Sequence, residues 1–157
     1  MAKSGDSAGV WFPPPLIFLG FLLIGLGAER WVHWGGFGME PTLRLMAGGL
    51  LTLCGIAIEG MAALGFRRAK TSLPPWRPAT TIVVSGLHAV TRNPMYVGMA
   101  VTQAGIAVLF NNLLALILTA ASVLCVRLFV IAKEEVYLER TFGDSYRAYK
   151  ARVPRWI

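Results

Sequence analysis

The chain reads as an all-α, polytopic membrane protein with about four transmembrane helices, and three observations carry that expectation. Of its 157 residues 55% are hydrophobic and 15% charged, and mean hydropathy is +0.59. Soluble domains sit near about 45–50% apolar and about 25% charged. The apolar residues gather in long runs at 14–28, 43–66 and 93–126. The basic residues flank those runs and form no single stripe, so a net charge of +7 points to a membrane surface and not to nucleic acid. A chain of this length supports one domain, with residues 1–70 as an N-terminal helical pair and 71–157 as the part that carries chemistry.

Taken in order, the first run follows a short polar N-terminus and ends in no small-residue cleavage site, so it is expected to stay as a helix. The second run, 43–66, is long enough for one crossing. The third contains no charged residue but is too long for one span, which needs about 20 residues. Asn111 and Asn112 interrupt it as a turn signal, giving helices at 94–110 and 113–132 joined by a tight hairpin. Glycines at 20, 25, 27, 48, 49, 55, 60, 98 and 105 suit close helix contacts in lipid, where no water-driven force joins helices. Cys54 and Cys125 both lie in apolar runs and are expected as small buried thiols.

Arg67, Arg68, Lys70, Arg77 and Arg92 crowd the connection between the second and third helices, which has no acidic residue. That connection is expected to be cytoplasmic. Four crossings then place Lys3 and the tail with Lys133, Arg140, Arg147, Lys150, Arg152 and Arg155 on the same side, both termini cytoplasmic, at the inner membrane in a bacterium. The tail is expected as a partly helical, amphipathic segment from 135 to 152 lying on head groups.

Connection and tail hold most of the polar groups, so a site is expected between them. The prolines at 74, 75 and 78 forbid a regular helix. The β-branched stretch 80–84 reads as extended backbone that needs partners near lipid. At 86–98, Pro94 suits a first helical turn, Asn93 a cap and Gly98 a close approach. Arg92 on phosphate head groups and Tyr96 in an aromatic belt would explain the same residues without chemistry. Glu134 and Glu135 are adjacent, so at most one is expected to face a given pocket while the other meets solvent or an arginine. Arg127, seven residues before Glu134, is expected on the same helical face. Glu59 and Arg127 are charges inside apolar runs. Glu59 is either functional or bridged to Arg127 or Arg92, and Arg127 either functional or snorkelling. His33, beside Trp31 and Trp34, is expected as an interface anchor. No metal-ligand spacing, P-loop or dinucleotide motif is present.

The run Gly86-Leu87-His88, then Arg92-Asn93-Pro94-Met95-Tyr96-Val97-Gly98, then Glu134-Glu135 with Leu138, Phe142-Gly143, Tyr146, Tyr149 and Val153-Pro154-Arg155-Trp156, resembles the isoprenylcysteine carboxyl methyltransferase family. The likeness covers about residues 71–157, and the two blocks in order are more specific than either alone. It implies a membrane methyltransferase using S-adenosyl-L-methionine, with S-adenosyl-L-homocysteine as product and no metal. It also implies a donor pocket lined by Thr80, Thr81, Ile82, Val83, His88, Asn93, Pro94, Met95, Tyr96 and Glu134, closed by Tyr146, Tyr149, Pro154 and Trp156.

Two positions depart from the family pattern. Asn93 stands where members usually carry His, and it cannot become cationic. Val130 stands where the substrate-contacting arginine is found, while Arg127 lies one turn earlier. Arg127, Arg92 and Glu135 are therefore the candidate catalytic residues, with His88 or Glu135 available as base for an amine acceptor. The partners implied are a lipophilic or lipid-modified acceptor and membrane lipids, with no nucleic acid; acceptor identity and oligomeric state stay open. A phospholipid N-methyltransferase, an NADPH-dependent sterol-type reductase and a non-catalytic lipid-binding scaffold are the alternatives.

Overall fold

Six α-helices follow one another in a computed structural model that describes residues 7–10, 12–33 and 35–157. Lys3 and Trp34 lie outside the described residues. The helices are α1 (Pro14–Val32), α2 (Pro41–Arg68), α3 (Pro94–Leu109), α4 (Leu113–Val126), α5 (Ala132–Phe142) and α6 (Asp144–Arg152). No strand occurs among the described residues, so the all-helical reading holds.

Proline opens α1, α2 and α3 in the first turn, where its missing N–H costs nothing. Glu40 caps α2 by accepting from Leu43 N–H at 2.9 Å. Asn112 caps α4, its Oδ1 accepting from Ala115 N–H at 2.6 Å, and its Nδ2 donates to Gly25 O on α1 at 3.2 Å. Asn111 takes a positive φ of 56°, so the expected hairpin is a turn of three residues, 110–112. His33 ends α1 in the left-handed conformation and is exposed.

Among the described residues three helical stretches are long and apolar enough to cross a membrane: Pro14–Val32, Pro41–Arg68 and Leu113–Phe142. α3, the fourth expected crossing, has 16 residues, about 24 Å, against a hydrocarbon core of about 30 Å. The last expected helix, 113–132, does not stop there. It continues through a π-helical stretch, Arg127–Ile131, into α5. The expected tail helix at 135–152 is instead broken at Gly143, whose φ of 53° ends α5 and turns the chain into α6.

α2 lies along α3, with glycines at the contact. A Cβ on Gly98 would sit 2.6 Å from Glu59 Cγ and 2.9 Å from Gly55 O, and one on Gly48 would sit 2.7 Å from Leu109 N. Gly25 meets Ala115 of α4 in the same way. Gly20, Gly27, Gly49 and Gly60 approach nothing, so the small-residue expectation holds at five of the nine positions. Glu59 is bridged to neither arginine: it accepts from Thr102 Oγ1 of α3 at 2.8 Å, a neutral partner that the apolar context tolerates. Cys125 is half-buried, but Cys54 is exposed on the outer face of α2, because that face has no helix neighbour.

Candidate functional site

Five stretches of chain converge at the end of the bundle where α2 ends and α3 begins. The end of α2, the connection 72–83, the start of α3, α5 and α6 surround a cleft of about 930 Å³, open mouth included. The connection reaches it without regular structure. Arg77 N–H closes a turn on Pro74 O, and Ala79 N–H donates to Tyr137 Oη of α5 at 3.1 Å. A single turn of 3-10 helix, Gly86–Ala89, then brings His88 under the end of α2, where its ring meets Phe66 edge-on at 5.1 Å. His88 is 5% exposed, and burial pulls its pKa below the usual value. Tyr149 Oη donates to His88 O at 2.7 Å, and burial pushes that phenol up to about 12.

The two adjacent glutamates of α5 both line this cleft, which corrects the expectation that only one would. The cleft wraps the helix widely enough to meet two residues about 100° apart. Their partners differ completely. Glu135 binds Arg155 in a two-pronged contact, Nε to Oε1 at 3.0 Å and Nη2 to Oε2 at 2.7 Å, and Arg92 Nη1 adds a third contact at 2.9 Å. The fork geometry is the strong form of the carboxylate–arginine pair, and it raises the Arg155 pKa. Glu134 accepts only from Tyr96 Oη, at 2.9 and 3.0 Å, and no cation pairs with it among the described residues.

Arg92 is not a head-group anchor. Its side chain is 9% exposed, and its Nη1 spans Glu135 and, at 3.4 Å, Tyr146 Oη, while its buried Nε has no partner. Around it the chain end is strapped down by backbone bonds. Arg92 N–H donates to Pro154 O at 2.9 Å, and Arg155 O accepts from Thr91 Oγ1 and Asn93 Nδ2, both at 3.0 Å. Asn93 thus stands at the cap position of α3 without using its side chain as a cap; the amide is spent on the strap.

Of the expected site residues, Thr81, Ile82, Val83, His88, Arg92, Asn93, Pro94, Met95, Tyr96, Glu134 and Glu135 all line the cleft. Thr80 does not: it is exposed, its N–H bonded to Thr71 Oγ1 at 2.9 Å and its hydroxyl to Lys70 O at 3.1 Å. Arg127 is not brought there either. It is exposed, and the Ala132 N–H bond back to Arg127 O marks a wide turn that takes up more residues than a regular one, so the seven-residue step falls short of the nearly two turns of an α-helix and Glu134 moves off its face. Tyr146 and Tyr149 line the cleft as expected, whereas Pro154 and Trp156 do not; Trp156 packs on the core formed by Val10, Phe18, Tyr96, Val126, Val130 and Ile131.

Sequence reasoning missed Ala8, Phe66, Arg77 and Tyr137 in the lining. Tyr137 had a readable signal, a tyrosine three residues past Glu134 and so near its face. Ala8 and Phe66 had none, since only the tertiary fold brings them in.

A family model described as phospholipid methyltransferase matches residues 43–145. The chain belongs to the phospholipid methyltransferase family. In this family member the matched stretch runs from α2 into α6, and it contains every cleft residue named above except Ala8, Tyr146, Tyr149 and the strap. An uncharacterized protein of Haemophilus influenzae is 38% identical over 63 residues, 40% of this chain and 100% of that protein. The protein-S-isoprenylcysteine O-methyltransferase of Schizosaccharomyces pombe is 36% identical over 78 residues, 48% of this chain. The match spans 32% of the yeast protein's length. No solved structure matches.

Proposed function

We propose that this protein transfers a methyl group from S-adenosyl-L-methionine to a lipophilic acceptor at the membrane. One observation carries the reading. Glu134 is an inward-facing carboxylate held by a tyrosine hydroxyl and, among the described residues, by no cation, one residue from a glutamate that holds two arginines. A buried carboxylate left without a counter-ion is a place for a cationic ligand. The donor carries a sulfonium and an ammonium. Its carboxylate would find the unpartnered Arg92 Nε, and its adenine the walls made by Ile82, Val83, Pro94 and Met95. These groups fit the donor, which when bound supplies an electrophilic methyl that needs no metal.

The chain's own work is then binding, alignment and exclusion of water. Holding a nucleophile in line with the methyl can supply about 7–11 kcal/mol of the barrier. Tyr96 holds the Glu134 carboxylate with one Oη–H shared between its two oxygens, and the strap over Arg92 closes the cleft on the side of the chain end. A carboxylate or thiolate acceptor needs no base. For an amine, His88 is the better candidate because burial favours its neutral, proton-accepting form, whereas Glu135 is committed to two arginines.

The relatives' names speak of phospholipid and isoprenylcysteine acceptors, and both are lipophilic. In the membrane, α3 makes a short fourth crossing packed along α2, which puts both termini and the basic connection on the cytoplasmic side. The acceptor then enters sideways from the bilayer and the donor from the cytoplasm.

Calorimetric titration of the purified protein with S-adenosylhomocysteine, and in parallel with NADPH, tests the proposal. Saturable binding of the first and none of the second is expected, and Glu134→Gln should weaken it by about tenfold or more, about 1.4 kcal/mol. NADPH binding, or product binding indifferent to Glu134→Gln, overturns it.

A further inference from the structure

A second cavity lies outside the cleft, between α1 and the continuous rod formed by α4, the π-helical stretch and α5. At one end the two rods are in backbone contact: a Cβ on Gly25 would sit 2.5 Å from Ala115 Cα, and Asn112 Nδ2 bonds Gly25 O. Toward the other end Phe18 of α1 still packs in one core with Val126 and Val130 of the rod. On the outer side of that seam a Cβ on Gly20 meets nothing within 4 Å, and a groove of about 980 Å³, mouth included, opens. Its walls are apolar, with Leu16, Phe21 and Ile24 on one side and Cys125 and Phe129 on the other. Phe129 belongs to the π-helical stretch, whose wide turn keeps Val130 and Ile131, two consecutive residues, each 1% exposed.

Among the described residues the groove has one charged lining residue, Lys133, at the end away from Gly25. The Lys133 ammonium reaches Gly9 O at 3.5 Å and is paired with no carboxylate among the described residues. Lys133 also starts the charged stretch that follows the apolar run, which sets it at the level of the membrane interface. The rods run antiparallel, with Gly25 against Ala115 at one end and Lys133 against Gly9 at the other, so the linings at 16–24 and 125–133 follow one another along the seam. An apolar groove ending at a cation with which no carboxylate among the described residues pairs matches a chain bearing an anionic head.

We propose that this groove holds an acyl chain of one anionic phospholipid, its phosphate on Lys133 Nζ, as a bound lipid separate from the cleft. Single-charge attraction near a lipid surface is worth about 1 kcal/mol, enough to select among lipids that all offer the same chain. The occupant is a lipid and not a protein helix, because the seam beneath the groove is closed at Gly25 by backbone contact and further along by the packing of Phe18 with Val126 and Val130, which leaves no room between the rods for a helix about 10 Å wide.

The test uses the full chain in phosphatidylcholine vesicles carrying a minor fraction of either phosphatidylglycerol or phosphatidylcholine with a photoreactive diazirine in one acyl chain. Adducts are mapped by peptide mass spectrometry. The expected result is several-fold more labelling of Cys125, Phe129 and Phe21 by the phosphatidylglycerol probe, with equal labelling by both probes at exposed Leu50 and Leu53 of α2. Lys133→Gln should remove the difference and Lys133→Arg should keep it. Gly20→Leu fills the slot with a good helix former and should lower groove labelling by both probes, while unchanged labelling of α2 shows the chain still folded. Equal groove labelling by the two probes, a difference that survives Lys133→Gln, or groove labelling unaffected by Gly20→Leu overturns the proposal.

Discussion

The contact between α2 and α3 and the strap across the cleft are both built without much water-driven burial, by opposite means. At the first, Gly48, Gly55, Gly98 and Gly105 let two backbones meet, and shape does the holding. At the second, the chain end lies against the start of α3 through backbone carbonyls of Pro154 and Arg155 and through one carboxylate shared by two arginines. A contact of the first kind tolerates no added volume and ignores salt. One of the second kind tolerates volume and responds to charge. Under the proposed function the cleft admits and releases a water-soluble donor, and closure by the second kind suits that, because polar bonds can be exchanged for water at small net cost.

The sharpest way to break that comparison is Gly98→Leu. The new Cβ would press on Glu59 Cγ and on the Gly55 carbonyl, and backbone cannot move aside as a side-chain tip can. Overpacking costs about 1–3 kcal/mol where side chains yield, and more is expected here. Thermal unfolding in detergent should show a loss of cooperative folding or a melting point lowered by several degrees, unchanged by added salt. A melting point near that of the parent would mean that the helices are not held by shape.

Glu135→Gln comes next and acts on the strap and on the Arg92 side of the cleft, not on the α2–α3 contact. It leaves Arg92 and Arg155 without a counter-ion. Breaking a fully buried pair costs about 3–5 kcal/mol, but Arg155 is 33% exposed, so about 1–3 kcal/mol is the scale after solvent screening. Hydrogen exchange at residues 153–155 should speed up, and affinity for S-adenosylhomocysteine should fall several-fold, while α2 and α3 keep their protection. Exchange that speeds up equally in both regions would show that the two contacts form one unit.

The helices were legible because apolar runs bounded by proline and asparagine carry their own punctuation: Pro94 opens α3, and the turn signal of Asn111 and Asn112 falls between α3 and α4. The cleft was legible through two linked blocks. What stayed hidden depends on register. Nothing in the composition of 127–131 announces a π-helical turn, so Arg127 was placed on the Glu134 face by counting sevens. Asn93 was read as a cap because side chains near a helix start usually bond locally, and its actual partner is 62 residues away. The uneven division of two adjacent glutamates between one tyrosine and two arginines is likewise a tertiary fact.

A smaller effect separates the two regions by pH. His88 sits in the floor of the cleft with its pKa lowered by burial. Between that lowered value and the unfolded value of about 6.5, the unfolded chain binds more protons than the folded one, so stability falls as pH drops through about 6.5 and levels off below the folded value. His88→Gln should flatten part of the slope of melting temperature between about pH 7.5 and about pH 5.5. An unchanged slope would mean that the ring already meets water.

Arg127→Gln should do least. The side chain is exposed on a span, one wide turn away from the face that carries Glu134, and no carboxylate pairs with it among the described residues. A charge at the centre of a span costs about 2.5 kcal/mol or more, so removing it should favour insertion slightly if it changes anything. Affinity for S-adenosylhomocysteine should stay within about twofold of the parent, under about 0.4 kcal/mol. Turnover of lipid extract with labelled donor should do the same. A tenfold loss of turnover with donor affinity intact would place Arg127 on the acceptor, and the acceptor would then lie along the outer wall of the last span instead of inside the cleft.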